Sequence, residues 1–188
     1  MIWQREDASL EAIYATGKAM VAAAITAPKG SGQDDVDAVL MDGEDKDKLV
    51  EIMHQLAVSS GHDFIERDAK IIDRCPCVVL IAAKDSPLGV NQCEFCGFKN
   101  CGANRKAGAR CFFNTVDLGI AVGSACALAA DNRIDNRVLY SAGKAAMVMG
   151  VFGDDCTSAL AIPLSVASKS FHFDRESGDY ADLYGEYL

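Results

Sequence analysis

The chain has 188 residues, half of them hydrophobic and 24% charged, with a formal net charge of −9. That length and apolar content support a single domain, 1–188, and argue against a disordered chain. The negative charge argues against nucleic-acid binding, which needs a basic face, and is read as serving solubility.

The first residues, Met1-Ile2-Trp3-Gln4-Arg5-Glu6-Asp7, are mixed in charge and lack the apolar stretch of a signal peptide. The longest nearly apolar run, Val116 to Ala130, is interrupted by Asp117. It falls short of the roughly 18 to 20 residues that span a bilayer. No membrane association is expected, and a cytoplasmic location is. Thiols stay reduced there, so eight cysteines point to metal or redox chemistry before disulfides.

Residues Ser9 to Ala27 read as a helix, with Ser9 as N-cap and Pro28 as its stop. After the loop Pro28 to Gln33, Val36 to Met41 alternates as a strand does. Asp45 to Ser59 is a second helix, with Leu49, Ile52, Met53 and Leu56 on one face, and Phe64 to Arg74 is a short third. Cys77 to Ala83 is continuously apolar, as a central strand buried on both faces would be. Ser86 to Arg110 carries little regular structure, and a loop that long in a compact domain is functional or disordered. Val116 to Asp131 is an apolar helix rich in small residues, which lets another backbone approach closely. Asn136 to Tyr140 is ambiguous. Ser141 to Met149 reads as helix, Ala159 to Ile162 as a strand ended by Pro163, and Phe171 to Leu188 as a tail that wraps a partner subunit or is loose. Strands alternating with helices give a mixed α/β class.

The most informative segment is the cysteine loop embedded at 86–112. Cys93, Cys96, Cys101 and Cys111 fall within nineteen residues. A C-x2-C pair turns two sulfurs toward one point, a third cysteine after four intervening residues can close on it, and a fourth supplies the last corner. Four thiolates suit a [4Fe-4S] cluster or a tetrahedral zinc. One C-x2-C pair in a tightly wound loop favours the cluster, since zinc ribbons use two such knuckles. Four ordinary reduced cysteines is the remaining reading. Gly97 and Gly102 let backbone N–H groups approach the sulfurs, and Lys99, Arg105, Lys106 and Arg110 offset the charge of a thiolate-bound centre. Cys75, Cys77, Cys126 and Cys156 read as bystanders, with a Cys75–Cys77 redox pair as the lesser alternative.

Two further segments are candidate anion sites. Lys29, Gly30 and Gln33 lie in a turn that cradles a phosphate or simply joins helix to strand. Ser141, Gly143 and Lys144 open a helix, with Ser141 as N-cap, and either bind an anion or only cap. His54, His62 and His172 show no metal or triad spacing, so hydrolytic chemistry has little support.

Asn91-Gln-Cys-Glu-Phe-Cys-Gly-Phe-Lys-Asn-Cys101 resembles the C-G-x-C-G-x-x-x-C core of the ferredoxin-type 4Fe-4S module. Glu94 stands where that core has its first glycine, and the gap to Cys111 is shorter than usual. From about Ser9 to Arg175 the chain resembles a family of prokaryotic ferredoxin-domain proteins. The carrying residues are Thr26 to Gly30, Pro87 to Gly89, the cysteine core, Asn114 to Ala121, Asp135 to Arg137, Ser141 to Ala145, Ile162 to Ser165 and Phe173 to Arg175. A weaker resemblance, in Ala27-Pro28 through Gln33 and Val36 to Met41, is to the FMN-binding nitroreductase fold. It implies an α+β, three-layer α-β-α architecture, a long central dimer helix at Val116 to Ala130, and FMN. The Arg-Arg-Ser phosphate element of those enzymes is missing, which leaves Lys29 and Arg175 as the available cations. The expectation is a redox protein with one [4Fe-4S] cluster, a flavin in reach, a homodimeric state, and a redox protein or small molecule as partner. Zinc is the alternative metal.

Overall fold

The computed structural model describes residues 1–174. The chain runs α1 (Arg5–Thr26), β1 (Val36–Asp42), α2 (Gly43–Ser60), α3 (Asp63–Asp73), β2 (Cys77–Lys84), α4 (Cys101–Lys106), α5 (Phe112–Asp131), β3 (Asp135–Asn136), α6 (Tyr140–Met149) and β4 (Cys156–Ser165). The strands form one sheet in the order β1-β2-β4-β3, and all its pairs are antiparallel.

Alternation along the strands sends side chains to opposite faces. Val78, Leu80 and Ala82 of β2 pack under α2, α3 and α6, with Leu49, Met53, Ile72 and Ala146. Cys77, Val79, Ile81 and Ala83 pack under α1 and α5, with Ile13, Met20, Leu118 and Ala125. The result is a three-layer α-β-α fold. β2 lies between two strands and under two helical layers, which is why its sequence is continuously apolar.

Several boundaries depart from the sequence expectation. α1 begins at Arg5, so Ser9 lies inside the helix and is not its N-cap, a position held by Gln4. Glu6 and Asp7 favour the earlier start, because acidic side chains suit the positive end of the helix dipole. β4 does not end at Pro163 but runs through it, with Pro163 opposite Val78. Leu139 and Ala161 exchange both backbone hydrogen bonds, at 2.8 and 3.0 Å, which places the nitrogens of Ala161 and Pro163 on the β3 side. The ladder is interrupted there between Leu139 and Asn136, so β4 runs through Pro163 with a ladder bond missing at that point. α6 begins at Tyr140 with Leu139 as its N-cap, so Ser141 does not cap it.

α5 also begins early, at Phe112. By length and composition it meets the criterion for a membrane span, contrary to the expectation from its interrupted apolar run. It packs against α1 and the sheet, burying Leu118, Ala121, Val122, Ala125 and Ala129. The Ser124 hydroxyl donates to the Ala23 carbonyl at 2.9 Å across the helix pair. The opposite face, with Gly119, Ile120, Gly123 and Ala127, is exposed.

Candidate functional site

The cysteine loop leaves the sheet at the end of β2. The Lys84 N–H donates to the Asp35 carbonyl at 2.8 Å, and the Asp85 N–H to that of Asp155 at 2.9 Å. The chain then winds through left-handed conformations at Gly89, Gln92, Glu94 and Gly97. The Gly97 N–H closes a turn on the Glu94 carbonyl at 2.8 Å, which bends the chain back between Cys93 and Cys96. The segment expected to lack regular structure contains α4, capped by Asn100, whose side-chain oxygen accepts from the Ala103 N–H at 2.9 Å. Asn104 is buried and donates to the Arg110 carbonyl at 3.0 Å, folding the exit of α4 back toward Cys111. Cys111 is itself the N-cap residue of α5.

The four cysteines line one cavity, whose remaining wall includes the apolar Leu88, Val90, Phe98 and Phe113. Cys93, Cys96 and Cys101 are half-buried, Cys111 is buried, and none is in a disulfide. Among the described residues no three His, Cys, Asp or Glu side chains converge closely enough to hold one metal ion. Phe95, Phe112 and Phe113 pack edge-on and tilted around the mouth, with centroids 5.4 to 6.0 Å apart.

The other four cysteines belong to the core. Burial pushes the Cys75 and Cys77 thiols up to about 12, with Cys77 a smaller upward cause at Cys75 and Asp42 at Cys77. Burial also raises Cys126 and Cys156. Thiols so far from ionising are poor nucleophiles and poor ligands, which fits the bystander reading.

Sequence reasoning passed over Asn114 and Asp117 as site residues, although both stand in an apolar helix at i, i+3. Asn114 is buried and acts as a clasp. Its side-chain oxygen accepts from the Ser86 N–H at 3.2 Å, and its amide donates to the Ser86 carbonyl at 3.0 Å and to Asp35 Oδ2 at 2.5 Å. The start of the cysteine loop is thus tied to the first turn of α5, one turn past Cys111. Asp117, also buried, receives the Gly30 N–H. Burial raises the Asp35 carboxyl, and the neighbouring Asp117 charge raises it further, while the Asn114 bond opposes.

Lys29, Gly30 and Gln33 do come together beside this network, but each has a structural partner. The Lys29 ammonium donates to the carbonyls of Ile25, of Ala27 at 3.1 Å and of Ala24 at 3.5 Å, closing the C-terminus of α1. Gln33 Oε1 accepts from the Ser86 hydroxyl at 3.0 Å. Lys29, Gly32 and Gln33 border a shallow cleft with Ile25 and Asp34. Ser141 and Gly143 lie on the opposite side of the sheet. Buried Ser141 donates to Asp68 Oδ2 at 2.6 Å, and Gly143 sits directly on β4, while Lys144 is exposed. The two candidate anion sites are therefore not halves of one site within a single chain. Arg175 lies outside the described residues. Of the histidines, His54 Nδ1 lies 2.6 Å from Glu66 Oε2, His62 stacks on Phe64, and His172 is fully buried against Ser165.

A protein of Archaeoglobus fulgidus, described as uncharacterized, is 37% identical over 184 residues, spanning 93% of this chain and 98% of its own. The profile of a family described as "Uncharacterized protein containing a ferredoxin domain (DUF2148)" matches residues 107–175. The chain belongs to this ferredoxin-domain family. The matched segment holds Cys111, Asn114 and Asp117 and begins after the other three cysteines of the loop. In three dimensions this ferredoxin-domain protein has the nitroreductase fold. A nitroreductase with bound FMN from Desulfitobacterium hafniense superposes with a TM-score of 0.55 at 14% identity, covering 90% of this chain and 81% of its own. A nitroreductase family protein from Clostridium novyi gives 0.55 at 11%, covering 90% and 76%. A BluB-like flavoprotein from Clostridium difficile gives 0.52 at 14%, covering 94% and 86%.

Proposed function

We propose that this ferredoxin-domain protein carries a [4Fe-4S] cluster on Cys93, Cys96, Cys101 and Cys111 and passes single electrons. The observation that carries this reading is the shared cavity: four free thiols line one space with apolar walls. A four-iron cluster takes its ligands at separate corners, whereas zinc draws four sulfurs to about 2.3 Å from one centre. When bound, such a cluster supplies one-electron transfer. The chain's own residues would set its conditions: Cys111 brings it to the positive end of α5, the wall residues Leu88, Phe98 and Phe113 keep water away, and the Asn114 clasp holds the loop in register.

Anaerobic reconstitution with iron and sulfide tests this. The expected product is brown, with stoichiometric iron and sulfide, and loses its colour in Cys96→Ser. A colourless protein would sink the idea. Four thiols holding zinc without iron, from anaerobic preparations, would replace it with a zinc-stapled structural protein.

A second reading, a flavin-dependent oxidoreductase, is favoured by the fold shared with an FMN-bound nitroreductase. Lys29, Gly30, Gln33 and Arg175 remain its proposed phosphate contacts, with Ser141, Gly143 and Lys144 behind the sheet. Titration with FMN decides it: no quenching of flavin fluorescence would count against it. We also propose a homodimer through the exposed small-residue face of α5, a site where helices approach closely. A monomer by sedimentation would exclude it.

A further inference from the structure

We propose that the rim of the cysteine cavity docks an acidic protein electron carrier. The inference rests on the redox reading above and names the partner that would exchange electrons with its centre. Segment 86–112 holds four cations, Lys99, Arg105, Lys106 and Arg110, against one anion, Glu94, in a chain whose net charge is −9. All four cations are exposed. Only Arg110 forms an ion pair among the described residues, a long one of 3.9 Å to Asp85. None of the four lines the cavity itself, but each lines a second pocket sharing Cys101 or lies in sequence beside a residue that lines one of the two. Lys99 lies between the wall residues Phe98 and Asn100, Arg110 precedes Cys111, and Arg105 shares a second, outer pocket with Cys101. Lys106 follows it on α4.

The same segment carries exposed apolar groups, Val90 at 47%, Phe95 at 68% and Phe112 at 41%. Phe95 and Phe112 touch each other, and both touch Phe113 on the cavity wall. An exposed aromatic centre with a polar, charged rim is the anatomy of a protein–protein interface. Opposite charge steers encounter, and an acidic partner repelled by the rest of the chain is directed to this one face. A long nucleic acid would meet the same overall repulsion with too few cations to offset it. One electron crosses per encounter: the donor is oxidised by one electron, the acceptor is reduced by one, and no bond forms or breaks.

Two measurements test this. In cluster-free protein, Cys93, Cys96 and Cys101 should react faster with an anionic than with a cationic methanethiosulfonate reagent, relative to free cysteine. That advantage should vanish in high salt, because the Debye length shrinks to about 3 Å at 1 M. It should reverse when Lys99→Glu, Arg105→Glu and Lys106→Glu are combined. No anionic advantage in the native chain overturns the proposal. In reconstituted protein, exchange with acidic flavodoxin should outrun exchange with basic cytochrome c at low salt by about tenfold or more, the scale of electrostatic steering. Equal or faster reaction with cytochrome c, or exchange with neither carrier, overturns the proposal while leaving the cluster intact. Absence of iron and sulfide overturns the redox reading instead, and the thiol measurement still reports on the rim.

Discussion

The N–H of Gly30 donates to both carboxylate oxygens of Asp117, at 3.0 Å each. The contact joins the turn after α1 to the second turn of α5, 87 residues away, inside a buried polar network. Asp117→Ala should lower the unfolding free energy by about 1.5–3 kcal/mol, the range for a hydrogen bond to a charged group. Asp117→Asn should cost less, since it keeps an acceptor and removes a charge that pushes the Asp35 carboxyl upward. Urea unfolding of the two variants checks the order; equal losses would contradict it.

His172 gives stability a defined pH dependence. Burial holds its pKa below the ordinary 6.5, with Arg74 acting in the same direction and Asp135 opposing. The unfolded chain therefore binds a proton that the folded chain resists. The stabilising contribution is present above about pH 6.5 and is lost as pH falls through the lower folded value. Unfolding free energies at about pH 7.5 and 5.5, on either side of the ordinary histidine value, should differ more in the native protein than in His172→Gln.

Gly143 packs α6 directly against the backbone of β4. A Cβ there would lie 2.0 Å from the Ala159 carbonyl oxygen, a backbone atom that cannot swing away. Gly143→Ala should cost about 1–3 kcal/mol or more through overpacking, read as a lower urea midpoint. A neutral result would mean that α6 can lift from β4 without loss.

Glu94 and Gly97 bracket the turn that sets Cys96, and both are left-handed, at φ 53° and 80°. A side chain in that region costs roughly 1–2 kcal/mol, which glycine avoids. Glu94→Gly should stabilise the loop, and Gly97→Ala should loosen it and lower the amount of metal retained. Limited proteolysis within 86–112 reads both, with resistance rising in the first variant and falling in the second.

The glycine that ferredoxin-type modules carry at the Glu94 position could be read from the sequence, and the backbone angle supplies its reason. β2 was legible for a similar cause: burial on two faces leaves an unbroken apolar run that no turn imitates. The early start of α5 was hidden because Cys111, Phe112 and Phe113 suit a loop rim as well as a helix, and tertiary contacts made the choice. β4 was cut short at Pro163 because a missing N–H harms a strand only where a partner awaits it, and sequence does not show which side faces a gap. The cysteine cluster announced itself by spacing, while the clasp at Asn114 did not. Its value depends on Ser86 and Asp35, 28 and 79 residues away, arriving at the same point.

That clasp means that the cysteine segment enters and leaves the fold at a single doorway. Ser86 and Asn114 are already in contact, so residues 87–110 leave and rejoin the fold at neighbouring points, with Leu88 packed against Gly30 as a further tether. A short turn in their place would meet the same two anchors, leaving the four strands and the long helices to close over their cores unchanged.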